Sequence, residues 1–165
     1  MGEMTFRNEI KETDILDIKS LLMSSGFFYN FEIRNGIELA IDNLARGPDT
    51  TGIHFLFLEE EGKVVGYSCY AQAECSVSSY FIYWIVVDAK SRGKGIGTTL
   101  LKETEQRITY SIGGDIVWIE TSSRDLYAPT RAFYINKGYT EVASLIDFYN
   151  KGDNKIVYKK VLRKD

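Results

Sequence analysis

A glycine-rich, basic turn is the first feature of this sequence whose residue types and spacing could do chemistry. Residues 92–97, RGKGIG, follow an apolar run and precede a helical pattern. A turn in this place leaves the first backbone N–H groups of the helix without intrahelical partners, and Arg92 and Lys94 add positive charge. The glycines let a ligand approach the main chain because no Cβ intervenes. We therefore predict a site for a phosphorylated ligand here, rather than a flexible basic turn.

A tyrosine and a glutamate could move protons. Tyr134 lies in residues 127–136, which the pattern predicts to be a short helix, and a phenol with a pKa of about 10 stays protonated at neutral pH. Glu120 ends a predicted strand, and its carboxylate could take a proton from an attacking amine. Both have structural alternatives. Tyr134 is one of eleven tyrosines and could simply be packed, and Glu120 could cap a helix or pair with Arg124 or Arg131.

Hydrophobic patterning predicts the elements that position these residues. Residues 80–87 are apolar or aromatic throughout, which is typical of a strand buried on both faces. A helical stripe follows the glycine-rich turn and consists of Ile96, Leu100, Leu101, Thr104 and Ile108. Residues 116–120 then read as a strand. Strand, helix and strand in this order are the parts of a parallel βαβ unit.

The rest of the chain reads as short strands and helices. Thr13 is the expected N-cap of a first helix, and a second helix stops near Pro48. Residues 47–52 could pass for a linker but are too few to separate domains. Further strands are expected at residues 5–10, 53–59, 64–72, 140–148 and 155–162. About seven strands and four helices predict an α/β fold (mixed α+β), a mixed, mostly antiparallel sheet flanked by helices, in one domain spanning residues 1–165.

Composition excludes several classes of protein. The 165 residues carry a net charge of −3, which argues against a general nucleic-acid binder. Two cysteines and one histidine form no disulfide framework and a poor metal set. The N-terminus lacks the layout of a signal peptide, and no run is long enough to span a membrane. We expect a cytoplasmic protein with no metal and no membrane contact.

Phosphate-binding motifs separate the remaining candidates. The P-loop string GxxxxGK[ST] does not occur, and GxGxxG fails because Thr98 or Leu100 stands at its last position. The pattern that does fit is Arg92, Gly95 and Gly97 directly after an apolar strand. It resembles the coenzyme A pyrophosphate loop of the GNAT superfamily of N-acetyltransferases. The order of strands and helices is also similar to that family's over nearly the whole chain.

This resemblance implies a set of site residues. Acetyl-CoA would be the co-substrate, and in the family the strand that ends at residue 120 splays away from the central strand to admit the thioester. Tyr134 matches the tyrosine that protonates the departing thiolate, and Glu120 stands where some ribosomal-protein-modifying relatives carry their base. Tyr127 replaces a common asparagine, and Phe81 replaces a glutamate that other members use. The implied coenzyme-binding residues are Ile85, Val86 and Val87 for the thioester arm, and Arg92, Gly93, Lys94, Gly95, Ile96, Gly97 and Thr98 for the pyrophosphate.

The resemblance also implies a function. The protein would transfer an acetyl group to a primary amine of a small molecule or peptide, directly and in a ternary complex. Residues 27–32 and 147–153 would contact the acceptor, with Glu32 receiving a cationic group. The sequence leaves open whether the protein is a homodimer. It also leaves open two rival functions, a non-catalytic coenzyme A sensor of the same fold and a nucleotide-binding regulatory domain.

Overall fold

A computed structural model describes residues 2–162 and shows a mixed sheet with helices. The seven strands are ordered β1-β2-β3-β4-β5-β7-β6. β4 and β5 pair in parallel, whereas the ladders β1–β2, β2–β3, β5–β7 and β6–β7 are antiparallel. The elements are β1 (Met4–Arg7), α1 (Asp14–Ser25), α2 (Asn30–Arg46), α3 (Pro48–Thr51), β2 (Ile53–Glu60), β3 (Lys63–Gln72), β4 (Ser79–Val87), α4 (Ile96–Gln106), β5 (Ile116–Ser122), α5 (Ala128–Asn136), β6 (Thr140–Asn150) and β7 (Asp153–Val161). The predicted fold class is confirmed.

The chain divides into two compact units. The N-terminal unit contains the residues up to Ala71 together with Trp84–Thr104, and the C-terminal unit contains Gln72–Tyr83 together with the residues from Glu105 onward. Strand β4 therefore begins in the C-terminal unit and ends in the N-terminal one. The expectation of a single domain over residues 1–165 stays a prediction.

The core of the N-terminal unit lies where α1 and α2 pack on β2 and β3. Its side chains come from alternate strand positions and from one face of each helix, as the two periodicities require. A buried hydrogen bond of 2.7 Å between the Ser68 and Thr104 hydroxyls joins β3 to α4. The buried core residues are Ile18, Leu21, Leu22, Ala40, Phe55, Phe57, Tyr67, Cys69 and Val86. The predicted stripe of α4 is confirmed, because all five of its members are buried.

The start of α1 differs from the prediction. Thr13 is the residue before the helix but makes no side-chain capping hydrogen bond. Asp14, the first residue of the helix, does not cap it either: its carboxylate accepts from the backbone N–H of Lys11, before the helix, at 2.6 Å and from the guanidinium of Arg7 at 2.8 Å. Arg7 also pairs with Glu59 on β2. The start of α1 is therefore held by an ion pair with β1, and not by the Thr13 hydroxyl.

Other expectations differ in detail. Residues 47–52, which could have passed for a linker, contain the short helix α3, so residues 2–162 hold five α-helices rather than about four. α4 begins at Ile96 and continues into a π-helical turn, Arg107–Ile112. β1 ends at Arg7, short of residue 10. β6 extends to Asn150 rather than to residue 148, and β7 begins at Asp153 rather than at residue 155. The prediction that residues 80–87 are buried on both faces is wrong at Tyr83, which is 52% exposed.

In the C-terminal unit, β5 lies between β4 and β7, and β6 forms the edge. A cluster of tyrosines packs α5 against the strands, with the Tyr134 ring centroid 5.7 Å from that of Tyr139 and 6.1 Å from that of Tyr158. Tyr139 donates its hydroxyl to Glu105 at 2.8 Å, and Lys160 pairs with the same carboxylate. All residues of β6 are exposed.

Candidate active site

A backbone hydrogen bond marks the point where β4 gives way to the glycine-rich loop. The N–H of Asp88 donates to the carbonyl oxygen of Val65 at 2.8 Å. Val65 is the extra residue at a register shift in β3, since Leu58 pairs with Gly66 and Glu59 with Val64. A 3-10 turn, Ala89–Ser91, then leads into the loop. The bulge therefore gives the loop a fixed starting point.

The glycines of the loop are required by its backbone conformation. Gly93 and Gly95 have φ angles of +76° and +79°, a region that other residues enter only with strain. A Cβ at either position would meet no atom within 4 Å, so the space beside the loop is open. The first hydrogen bond of α4 runs from Thr99 N–H to the Gly95 carbonyl. The amides from Gly95 to Thr98 therefore have no acceptor within the helix, as an anion site requires.

The side chain of Arg92 already has partners in the N-terminal unit. Its guanidinium donates to the carbonyl oxygen of Ser25, at the end of α1, at 3.3 Å and lies 4.9 Å from the centroid of the Phe27 ring. A cation at a helix C-terminus is favourable because of the carbonyl dipoles there. The loop is thus linked to the segment between α1 and α2. Lys94 is exposed.

The strand before the loop lies unusually close to its neighbour. A Cβ added to Gly66 would come within 2.9 Å of the carbonyl oxygen of Val86. Val86 is buried, whereas Ile85 and Val87 are partly exposed, so the three predicted thioester-arm residues alternate as a strand should. Within the C-terminal unit, the parallel ladder of β4 with β5 ends at Phe81 and Trp118, although both strands continue.

Tyr134 lies on α5 and is almost completely buried, with 4% of its surface exposed. Burial raises the pKa of its hydroxyl well above the ordinary value of about 10. The hydroxyl therefore stays protonated at every physiological pH and is available as a donor. Pro129 lies in the first turn of α5, and Gly138 follows the helix with a φ of +87°.

Glu120 does form an ion pair, but with neither of the arginines that the sequence suggested. Its Oε2 lies 2.9 Å from Nζ of Lys155 on β7. Arg124 pairs instead with Asp153 at 3.3 Å, and Arg131 donates to the carbonyl oxygens of Ser122 and Arg124 at 2.8 Å each. The expected partners of Glu120 were wrong because these arginines brace the turn between β5 and α5.

A buried pair of polar side chains that no sequence pattern indicated holds this turn. Ser122 and Asp153 are both buried, and the Ser122 hydroxyl donates to Oδ1 of Asp153. The same hydroxyl accepts from the backbone N–H of Arg124 at 3.1 Å. The two residues stand 31 positions apart in the chain, so no local motif could have identified them.

The two segments expected to contact an acceptor, residues 27–32 and 147–153, differ in which of their side chains are exposed and which are engaged in the fold. The Glu32 carboxylate accepts from the backbone N–H of Tyr29 at 2.7 Å and so caps α2, and its expected role toward the acceptor stays a prediction. In the hairpin, Phe148 and Tyr149 are exposed, and both rings lie beside Lys155.

Among residues 2–162, no three histidine, cysteine, aspartate or glutamate side chains group as metal ligands do. None of the helices in that range is long and apolar enough to cross a membrane.

The structure thus assigns the predicted site residues to two places. The proposed coenzyme residues, from Ile85 to Thr98, lie in the N-terminal unit, on one strand and the loop that follows it. Glu120 and Tyr134 lie in the C-terminal unit, on β5 and on the helix after it.

Comparisons with known proteins agree with the fold described above. The model of the acetyltransferase (GNAT) domain matches residues 51–141. A Desulfovibrio desulfuricans protein assigned to the GNAT acetyltransferase family is 34% identical, with a TM-score of 0.92, and the match covers 96% of this chain and 99% of that one. A search of curated protein sequences finds no match.

Two more distant structures share the fold. A ribosomal-protein-alanine N-acetyltransferase from Brucella melitensis is 20% identical, with a TM-score of 0.75 and coverage of 96% of this chain and 99% of that one. An aminoglycoside 6'-N-acetyltransferase solved with coenzyme A is 16% identical, with a TM-score of 0.75 and coverage of 99% of both chains. The domain match and the close structural relative together show that this chain belongs to the GNAT family of acetyltransferases.

Proposed function

We propose that this protein is an N-acetyltransferase that moves the acetyl group of acetyl-CoA to a primary amine of a small molecule or peptide, directly and within a ternary complex. The observation that supports this most strongly is the loop after β4. Two glycines in the left-handed region precede a helix whose first amides have no acceptor within the helix. Such a loop suits the diphosphate of coenzyme A.

The residues of the loop and of β4 would hold the coenzyme. The amides from Gly93 to Thr98 would bind the pyrophosphate, with Arg92 and Lys94 adding positive charge. The open space beside Gly93 and Gly95 fits this role, since a Cβ there would meet no protein atom within 4 Å. The main chain from Ile85 to Val87 would align the thioester arm. No metal enters this proposal.

Two residues of the C-terminal unit would move the protons. Bound acetyl-CoA supplies the acetyl thioester. The acceptor arrives as an ammonium ion, and Glu120 takes the proton that its nitrogen must lose before it can attack, directly or through a water. The nitrogen loses its second proton to water once its bond to the acetyl carbon has formed. Tyr134 gives its proton to the sulfur as the carbon–sulfur bond breaks, and solvent then reprotonates the phenolate. Burial raises the pKa of the Tyr134 hydroxyl, so the phenol carries its proton before the reaction begins.

The proposed partners follow from the same reaction. The partners that we propose are the amine acceptor and, in a homodimer, a second copy of the chain. Nucleic acid is not among them, and the proposed location is the cytoplasm. Relatives act on amines of different sizes, as their names state for ribosomal protein and aminoglycosides. The acceptor of this chain is therefore proposed only as a primary amine.

Release of the coenzyme A thiol tests the proposal. The protein is incubated with acetyl-CoA and a panel of amines, polyamines, amino acids and peptides, and free thiol is measured. We expect acceptor-dependent release that Gly95→Glu abolishes. Thermal-shift measurements with acetyl-CoA, ATP and NAD give the second readout, because a ligand that binds only the native state raises its stability. Stabilisation by acetyl-CoA without thiol release from any amine would favour the sensor, and stabilisation by ATP alone would contradict both.

A further inference from the structure

The ammonium group of Lys155 lies between a carboxylate and two aromatic rings. Its Nζ is 2.9 Å from Oε2 of Glu120, 3.8 Å from the centroid of the Phe148 ring and 5.7 Å from that of Tyr149. The two rings stand nearly perpendicular, at 85°, with centroids 5.2 Å apart. Carboxylate and ring faces are the groups that recognise an ammonium ion, by charge-assisted hydrogen bonding and by cation–π attraction.

The three side chains around the ammonium group, those of Glu120, Phe148 and Tyr149, are exposed to solvent, whereas the side chain of Lys155 is largely buried. The side chain of Lys155 is 14% exposed and that of Glu120 36%. Phe148 and Tyr149 are 53% and 42% exposed. An apolar ring pair and a carboxylate that face water beside each other are accessible to a molecule from solution. The lysine ammonium is therefore the part of the cluster that such a molecule would replace.

Backbone and side-chain hydrogen bonds hold the two rings in place. Asp147, with a φ of +55°, donates its N–H to Oδ1 of Asn154 at 2.9 Å. Its own carboxylate accepts from the N–H of Gly152 at 2.7 Å. On the other side, the β5–β7 ladder pairs Ser122 with Lys155, which fixes the base of the lysine side chain next to β5. The cluster is thus supported by contacts that do not depend on the lysine ammonium.

We propose that Glu120, Phe148 and Tyr149 form a primary-ammonium site, which Lys155 fills in the free protein and which the ammonium of the acceptor fills when it binds. This inference rests on the proposed function only in taking the occupant to be the acceptor amine. Lys155 is then a specificity-determining residue. It acts as an internal competitor that weakens the binding of simple amines, so a productive acceptor needs further contacts elsewhere.

Removing the ammonium group of Lys155 tests this proposal by a binding measurement, which does not require acetyltransferase activity. Lys155→Met keeps most of the apolar stem and removes the ammonium, and n-butylammonium chloride serves as the probe in calorimetry and NMR titration of the full chain. We expect Lys155→Met to bind the probe about tenfold more tightly than the wild type, the combined size of one exposed ion pair and one cation–π contact. Lys155→Arg, which keeps a cation in the site, should behave like the wild type.

The walls of the site provide the matched controls. Glu120→Gln or Phe148→Leu, each added to Lys155→Met, should abolish the gain. Tetramethylammonium, which has no N–H to donate to Glu120, should bind more weakly than n-butylammonium. If Lys155→Met unfolds at a lower temperature than the wild type, Lys155→Gln replaces it in the same titrations.

The outcomes separate this inference from the proposed function. Equal affinity of the wild type and Lys155→Met for n-butylammonium would overturn the inference, even if acetyl transfer is observed. A gain that survives Glu120→Gln and Phe148→Leu would overturn it as well. A gain that both changes abolish supports the site, and if no amine then releases thiol from acetyl-CoA, the proposed function alone fails.

Discussion

The backbone N–H of Asp88 donates to the carbonyl oxygen of Val65 at 2.8 Å, so a bulge in β3 sets where β4 ends and the glycine-rich loop begins. The neighbouring Gly66 allows the close approach of the two strands at Val86. Loop position therefore depends on a strand that contributes no predicted ligand contact.

Gly66→Ala should displace the end of β4. The added Cβ would lie 2.9 Å from the Val86 carbonyl oxygen, and a backbone atom cannot move aside as a side chain can. We expect a loss of about 1–3 kcal/mol in the free energy of unfolding, measured by urea denaturation, together with weaker acetyl-CoA binding in calorimetry. Gly36→Ala is the matched control, since its Cβ also meets an atom at 2.9 Å, but that atom is a side-chain methyl carbon of Leu22 and not a backbone atom. Equal losses in both variants would contradict this account.

Gly95→Ala should weaken coenzyme binding beyond its effect on stability. The φ of +79° strains any residue with a Cβ, at a cost of about 1–2 kcal/mol. Gly52→Ala provides the control because Gly52 also has a positive φ, +70°, and open space around it. We expect similar losses in urea denaturation for both variants, and a higher Kd for acetyl-CoA only for Gly95→Ala. An unchanged Kd would count against the loop as the pyrophosphate site.

Tyr134→Phe should lower kcat and leave acetyl-CoA binding nearly unchanged. Loss of a general acid reduces the rate by about 100-fold or more, whereas the ring that packs on Tyr139 and Tyr158 remains. Steady-state kinetics and calorimetry measure the two effects. Tyr67→Phe, which alters a buried tyrosine in the N-terminal unit, should keep full turnover. Normal kcat in Tyr134→Phe would remove the proposed role.

Stability should fall at alkaline pH because buried tyrosines keep their protons in the folded state. Burial, and then the negative charge of Glu105, raise the pKa of Tyr139 above the unfolded value of about 10. Its contribution is therefore complete below about pH 10 and declines above it, by about 1.4 kcal/mol per pH unit. Urea denaturation between about pH 8 and about pH 11 should show this decline, and Tyr139→Phe should reduce its slope.

Local patterns were sufficient for much of the fold. The stripe from Ile96 to Ile108, the strand before it and the hairpins could be predicted because each depends on residues a few positions apart. The glycine-rich loop belongs to the same class, since the left-handed conformation at Gly93 and Gly95 is a property of those residues and their neighbours. The family follows from the same patterns, because strand, loop and helix occur in the order that its members share.

Contacts between distant residues could not be predicted. The start of α1 is held by the ion pair of Asp14 with Arg7 and not by the Thr13 hydroxyl, because Arg7 stands at the end of β1, which pairs with β2. Tyr83 is exposed although its neighbours in the chain are apolar, since which face of a strand is covered depends on what packs there.

The sequence by itself therefore determined the class of fold and the glycine-rich loop, which depend on short-range spacing, and its motifs carried the resemblance to the family. The tertiary structure decided which polar side chains pair: Lys155, and not Arg124, forms the ion pair with Glu120, and Ser122 donates a hydrogen bond to Asp153. The physical reason is strand register. The β5–β7 ladder brings side chains together that the chain keeps far apart, and no local pattern specifies that register.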